Sequence, residues 1–219
     1  NQFWQLIRVE LAKHNIDTPQ ELSQNAGEMP VWIDPELVLS QTCGKPYRTV
    51  LHDQVTLIGT PVYDIDGCPP GYYRSGYIIH KDDNRSNLAD FKNALFAYND
   101  AGSQSGLHVT KNFFNNKSCS GGHIISAKMV ASGDAEIAAI HAVSLEFIKE
   151  YESFSDNIKV LCWTAPTPTL PFISKIGVDR NIFFIAIKNA LEKLPKDVKN
   201  QLKIKDFIYI PKETYLAME

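Results

Sequence analysis

Residues Ala97 to Gly106, AYNDAGSQSG, join an apolar run to the apparent start of a helix, LHVTKNFF. Leu95, Phe96 and Ala97 are strand material, and Asn99 and Asp100 break the strand. Ser103, Gln104, Ser105 and Gly106 then offer hydroxyls and unhindered backbone amides where a helix is expected to begin. The first amides of a helix lack internal partners and carry partial positive charge, so such a junction can hold an anion without lysine or arginine. Serine at a helix start is most often an ordinary cap, and one junction would not argue for a ligand. A second one follows: Ser120, Gly121, Gly122 and His123 come after another short strand and precede the helical run IISAKMVASG.

Outward from this stretch the chain alternates regularly. A short helix is expected around Asn87 to Lys92, strands over Ala94–Asn99, Lys117–Ser120, Ala135–Ile140 and Ile158–Trp163, and helices over Ser105–Asn115, Ile124–Ser132 and Ala142–Tyr151. Such alternation predicts an α/β fold with a parallel-rich sheet. Upstream, FWQLIRVELAKHNI has the apolar spacing of an amphipathic helix. Asp34 to Leu37 reads as a helical turn, LVLSQ as a short strand, and VTLIGTPVY (Val55–Tyr63) and Tyr73 to Lys81 as longer strands. Because the chain opens on a helix, a preceding strand is expected to be missing. Downstream, Pro166, Pro168 and Pro171 interrupt the alternation and predict an extended connection. A strand FISK, a helix from about Asp179 to Leu194, the segment LKIKDFIYI and a short helical tail complete the chain.

The 219 residues can bury a good core as one domain or as two lobes. A hydrophobic fraction of 44% is ordinary for a globular chain, and a net charge of -3 gives no reason to expect nucleic acid. No apolar run is long enough to cross a bilayer. The four cysteines show no zinc-type spacing, so no metal is expected. Cys43 and Cys68 lie beside glycine and proline in loop-like sequence, where a disulfide and two thiols are both open readings; Cys119 and Cys162 read as small core residues.

In an open parallel sheet, ligands gather beyond the carboxyl ends of the strands. There, Asn99 to Ser105, Ser120 to His123 and His141 to Ser144 would form a cup of hydroxyls, amides and imidazoles. His123 can donate to an anion, and His141 ends the strand AEIAAI and should point into the same cup. Tyr63, Tyr72 and Tyr73 can wall an organic ligand. No nucleophile stands coupled to a base, so no catalytic residue, enzyme activity or cofactor is expected.

The runs DPELVLSQTCGKPY, GTPVYDIDGCPPGYYRSGYIIHKDD, LADFKNALFAYNDAGSQSG, SGGHIISAKMVASGDAEIAAIHAVS and TAPTPTLPFIS occur in this order from about Asp34 to Ser174. Together they resemble the PhnD-like phosphate/phosphonate periplasmic binding proteins of ABC importers. The resemblance implies a type II periplasmic binding fold, two α/β lobes closing over a ligand. Lobe 1 would be residues 1–76 with 166–219, lacking the family's first strand, and lobe 2 residues 77–165. It places oxyanion binding on Ser103, Gln104, Ser105 and Gly106, with Asn99, Ser120, Gly121, His123 and His141 around it and Tyr63 and Tyr73 at the organic end. Gly122 stands where the family has serine, and His141 where it commonly has aspartate, which weakens the case for an ammonium-bearing ligand. The resemblance also implies a Cys43–Cys68 disulfide, and an exported protein, periplasmic or membrane-anchored outside the cell. Its partners would be a small anion and a membrane permease, and the protein a monomer. A sensory receptor domain, a binding protein for a solute without phosphorus and, further off, a cofactor-biosynthesis enzyme are the alternative tasks for this fold.

Overall fold

The computed structural model describes residues 1–23 and 29–218. It divides into two compact units, Asn1–Tyr72 with Pro168–Glu219, and Tyr73–Thr167. The chain passes between them at two short paired strands, β3 (Tyr72–Tyr73) and β9 (Thr167–Pro168).

Unit 1 holds helices α1 (Gln2–Ala12), α2 (Met29–Trp32) and α3 (Gly44–Pro46), the last running into a wider π-helical turn, Tyr47–Leu51. From the far end of the chain come α6 (Arg180–Lys193), α7 (Lys196–Leu202) and α8 (Lys212–Leu216). Its sheet has the order β1 (Ser40–Gln41), β10 (Phe172–Lys175), β2 (Val55–Tyr63), β11 (Ile204–Ile208), with antiparallel neighbours throughout. Side chains alternate across β2, so Ile58 packs under α1 and α6 with Trp4, Ile7, Leu11, Phe183 and Ile187. Leu57 faces the other layer, with Tyr47, Leu51, Ile173 and Tyr215. At Gly59 an added Cβ would lie 2.5 Å from the Phe207 ring, which is why the strand carries glycine there.

Unit 2 holds α4 (His123–Ser132), α5 (Ala142–Tyr151) and a sheet of order β6 (Asn116–Cys119), β5 (Leu95–Tyr98), β7 (Ile137–His141), β4 (Ser75–His80), β8 (Ile158–Trp163). β7 again alternates. Ala138 and Ile140 pack with Ala127, Val130, Leu145 and Ile148 of the two helices; Ile137 and Ala139 pack with Tyr77, Phe91, Phe96 and Phe114 on the opposite face.

Four expectations are corrected. Parallel pairing is confined to β6, β5 and β7; every other pair in both large sheets is antiparallel. The alternation of strand and helix reveals layers but not the direction of strands that arrive from distant parts of the chain. The expected helix Ser105–Asn115 is a series of turns ending in one 3-10 turn, His108–Thr110. The Thr110 hydroxyl donates to the Leu107 carbonyl at 2.7 Å, and Lys111 and Asn112 both take left-handed backbone angles, so no α-helix propagates. Cys43 and Cys68 are not joined by a disulfide. Cys43 is fixed at the N-cap of α3, while Cys68 sits in the turn after β2, and loop-like composition says nothing about which loops meet. Cys119 is exposed on the edge strand β6 rather than being a core residue.

Candidate functional site

The polar residues of unit 2 collect along one end of its sheet. β6 leads into Ser120, β5 into Asn99 and the serine loop, β7 ends on His141, β4 begins on Ser75, and β8 leads into Thr164. Strand ends of this kind need their last backbone groups and side chains satisfied locally, and the loops do so with short hydrogen bonds.

Ser103, Gln104 and Ser105 are all buried. The Ser103 hydroxyl accepts from the Gly106 amide at 3.1 Å and lies 3.4 Å from the Ser105 hydroxyl. Ser105 Oγ in turn is 2.9 Å from His123 Nε2, so two loops distant in sequence converge on one hydrogen-bonded group. Gly106 is required by close approach: a Cβ there would lie 1.8 Å from Asn99 Oδ1. With the expected helix absent, this loop has no helix dipole of its own; what it contributes to anion binding is hydroxyls and single amides.

The second junction keeps its helix. Gly121 turns the chain with a φ of +89°, Gly122 is the N-cap of α4 without a capping side chain, and His123 opens the helix. Ser120 is occupied with structure, its hydroxyl donating to the Tyr98 carbonyl at 3.1 Å and lying 2.7 Å from the Ser126 hydroxyl. Burial pushes the His123 imidazole down to about 4, against a smaller opposing effect of a hydrogen bond with the Ala139 backbone. It is therefore neutral at pH 7.

His141 caps α5: its Nδ1 accepts the Val143 amide at 3.1 Å, and its ring stacks on Tyr73 with centroids 4.1 Å apart. Burial, with a lesser contribution from nearby His123, pushes it down to about 3. A neutral ring whose Nδ1 accepts carries its proton on Nε2, so His141 presents a donor. Tyr63 lies in unit 1, where its hydroxyl accepts from Gln41 Nε2 at 3.0 Å and burial raises its pKa. Tyr72 also belongs to unit 1, while Tyr73, His141 and the residues of the two serine-bearing junctions belong to unit 2. Ser75 and Thr164 escaped the sequence reading because β4 enters the sheet at this end and β8 departs from it antiparallel to β4, outside the carboxyl-end rule for parallel strands.

The Ser105–His123 pair has the spacing of a nucleophile and base, yet its imidazole is a weak base and the same serine is shared with Ser103. A cavity of about 280 Å³ that His123 also lines runs between α4 and α5, beside Phe147, Tyr151 and Glu152, and none of the serines of the cluster reaches it. The arrangement is a set of uncharged donors suited to holding oxygen atoms.

Solved structures share this architecture. PhnD1 of Prochlorococcus marinus, in complex with methylphosphonate, matches with a TM-score of 0.72 at 17% identity over 98% of this chain and 88% of that one. XAC2383 of Xanthomonas citri, bound to ATP, gives 0.71 at 13% identity over 98% and 87%. A binding protein component of an ABC phosphonate transporter of Pseudomonas aeruginosa gives 0.71 at 16% identity over 97% and 77%. At these identities the likeness shows the fold, and that fold is the type II periplasmic binding protein fold. The family follows from a match over residues 39–215: the chain belongs to the phosphonate-binding family described as ABC transporter, phosphonate, periplasmic substrate-binding protein. The family is one of extracytoplasmic substrate-binding components, which hand a small molecule to a membrane permease, and not of enzymes. No helix among the described residues is long and apolar enough to cross a membrane. No curated protein matches the sequence.

Proposed function

We propose that this protein captures a small tetrahedral oxyanion of the phosphonate or phosphate class and delivers it to its importer. The observation that carries this reading is the convergence of the buried Ser103 and Ser105 with the half-buried His123 into one uncharged hydrogen-bonding group beside the uncapped start of α4. Ser103, Ser105 and the first amides of α4 hold the oxygens, His123 and the donor on His141 assist, and Tyr73 shapes the organic end. The protein works as an exported monomer, periplasmic or anchored at the outer side of the membrane.

Native mass spectrometry before and after partial unfolding and dialysis reports any carried ligand. Thermal shift against phosphate, phosphite, methylphosphonate and aminoalkylphosphonates then reports the class. A ligand at a hundred times its Kd stabilises the folded state by about 2.7 kcal/mol, which a melting curve resolves. A shift that rises with ligand concentration and disappears in the Ser103→Ala/Ser105→Ala double variant supports the reading. No bound species and no shift with any phosphorus oxyanion sinks it.

A further inference from the structure

The five strand ends of unit 2 form a continuous polar row, and one member of it has no structural use for its side chain. Ser75 is 1% exposed, and its hydroxyl has no hydrogen-bond partner. Its backbone needs nothing further from it, because the Ser75 amide donates to Thr164 Oγ1 at 2.9 Å and its carbonyl accepts the Thr164 amide at 2.9 Å. An apolar strand start would fold at least as well, since burying a hydroxyl without a partner costs stability.

Register shows where the hydroxyl points. Ser75 stands directly across from His141, and cross-strand partners share a face. Two residues further along, Tyr77 and Ala139 pack in the same apolar cluster, against which Leu107 and Val109 of the serine loop also pack. Ser75 thus lies on the face that the Ser103–Thr110 segment covers, next to the His141 ring stacked on Tyr73.

We propose that Ser75 is a ligand-binding residue, its hydroxyl donating to an oxygen of the captured oxyanion on the strand side of the site. This rests on the oxyanion-binding reading above and extends that site by one strand, from β7 to β4. The hydroxyl is kept because the bound state satisfies it.

The test compares wild type with Ser75→Ala and with Ser75→Cys, a near-isosteric side chain that donates weakly, by calorimetric titration with methylphosphonate, phosphite and phosphate and by melting of the free proteins. Ser75→Ala is expected to lose about tenfold or more in affinity while its free form melts at the wild-type temperature or above it, with Ser75→Cys between the two. Wild-type affinity in Ser75→Ala overturns the inference and leaves the oxyanion reading intact. A free Ser75→Ala protein that melts well below wild type also overturns it, since the hydroxyl would then be structural. Absence of binding by the wild type to all three anions overturns both.

Discussion

A carboxylate buried in a seam between two helices has to be held by cations, and Glu10 is held by two. Both of its oxygens accept from Lys13 Nζ at 2.7 Å, Lys193 of α6 pairs with it as well, and Asn189 adds a bond at 3.3 Å. The Lys13 bond first, and then Lys193, bring its pKa from 4.5 down to about 2. A carboxyl lowered in the folded state contributes stability that is fully present above its unfolded value and is lost as pH falls through its folded one. Denaturant unfolding should therefore show wild type weakening between pH 4.5 and 2. Glu10→Gln should cost about 1–2 kcal/mol at neutral pH, a figure discounted because both lysines remain half-exposed, and the cost should shrink across that same acid window. Equal losses at neutral and strongly acid pH would show that packing, not charge, is what Glu10 supplies. Of the candidate site, the hydroxyls and imidazoles at strand ends were visible as residue types in loops. Ser75 was not, because a serine at the start of an apolar strand looks the same in sequence whether its hydroxyl is used or idle.

At the scale of elements, the two helices of unit 2 begin in opposite ways. α5 is capped by the His141 side chain, whereas α4 starts at a glycine that can offer none. His141→Asn keeps an N-cap and is expected to retain stability, while His141→Ala should lose about 1 kcal/mol in urea unfolding; identical midpoints would remove the capping role. Gly121 has open space around it but a backbone angle that L-residues resist, so Gly121→Ala should cost about 1–2 kcal/mol and misdirect His123, lowering ligand affinity in the same preparation. A variant with unchanged melting and affinity would show that the turn tolerates a side chain. Sequence periodicity located α1, α4, α5, α6 and the long strands because each has an apolar face repeated over several turns or pleats. It missed α7, whose KDVKNQL carries little apolar repeat, and it overextended the element after Ser105, where the apolar spacing of LHVTKNFF is helical but the backbone at Lys111 and Asn112 is not.

At the scale of the molecule, unit 1 is assembled from both ends of the chain. The Tyr215 hydroxyl on α8 lies 2.5 Å from the Thr60 hydroxyl and donates to the Thr169 carbonyl at 3.0 Å, with its ring edge-on to Tyr47 at 5.1 Å. Removing residues 212–219 should expose the amides of β2 and β10 to hydrogen exchange while β4, β5 and β7 stay protected. Uniform loss of protection would mean that the units do not unfold separately. The fold class was legible from layered alternation, whereas the antiparallel pairing of β2 with β10 and β11 was not, since nothing local marks which distant strands become neighbours.

That pairing also sets a schedule for synthesis. A nascent chain emerging from the ribosome or a secretion channel has every residue of Tyr73–Thr167 available before β10 exists, so unit 2 can close first while Val55–Tyr63 waits with its edges open. Until the last strand and helix arrive, this apolar segment is a template for pairing with other chains, and it is there that a chaperone would be needed.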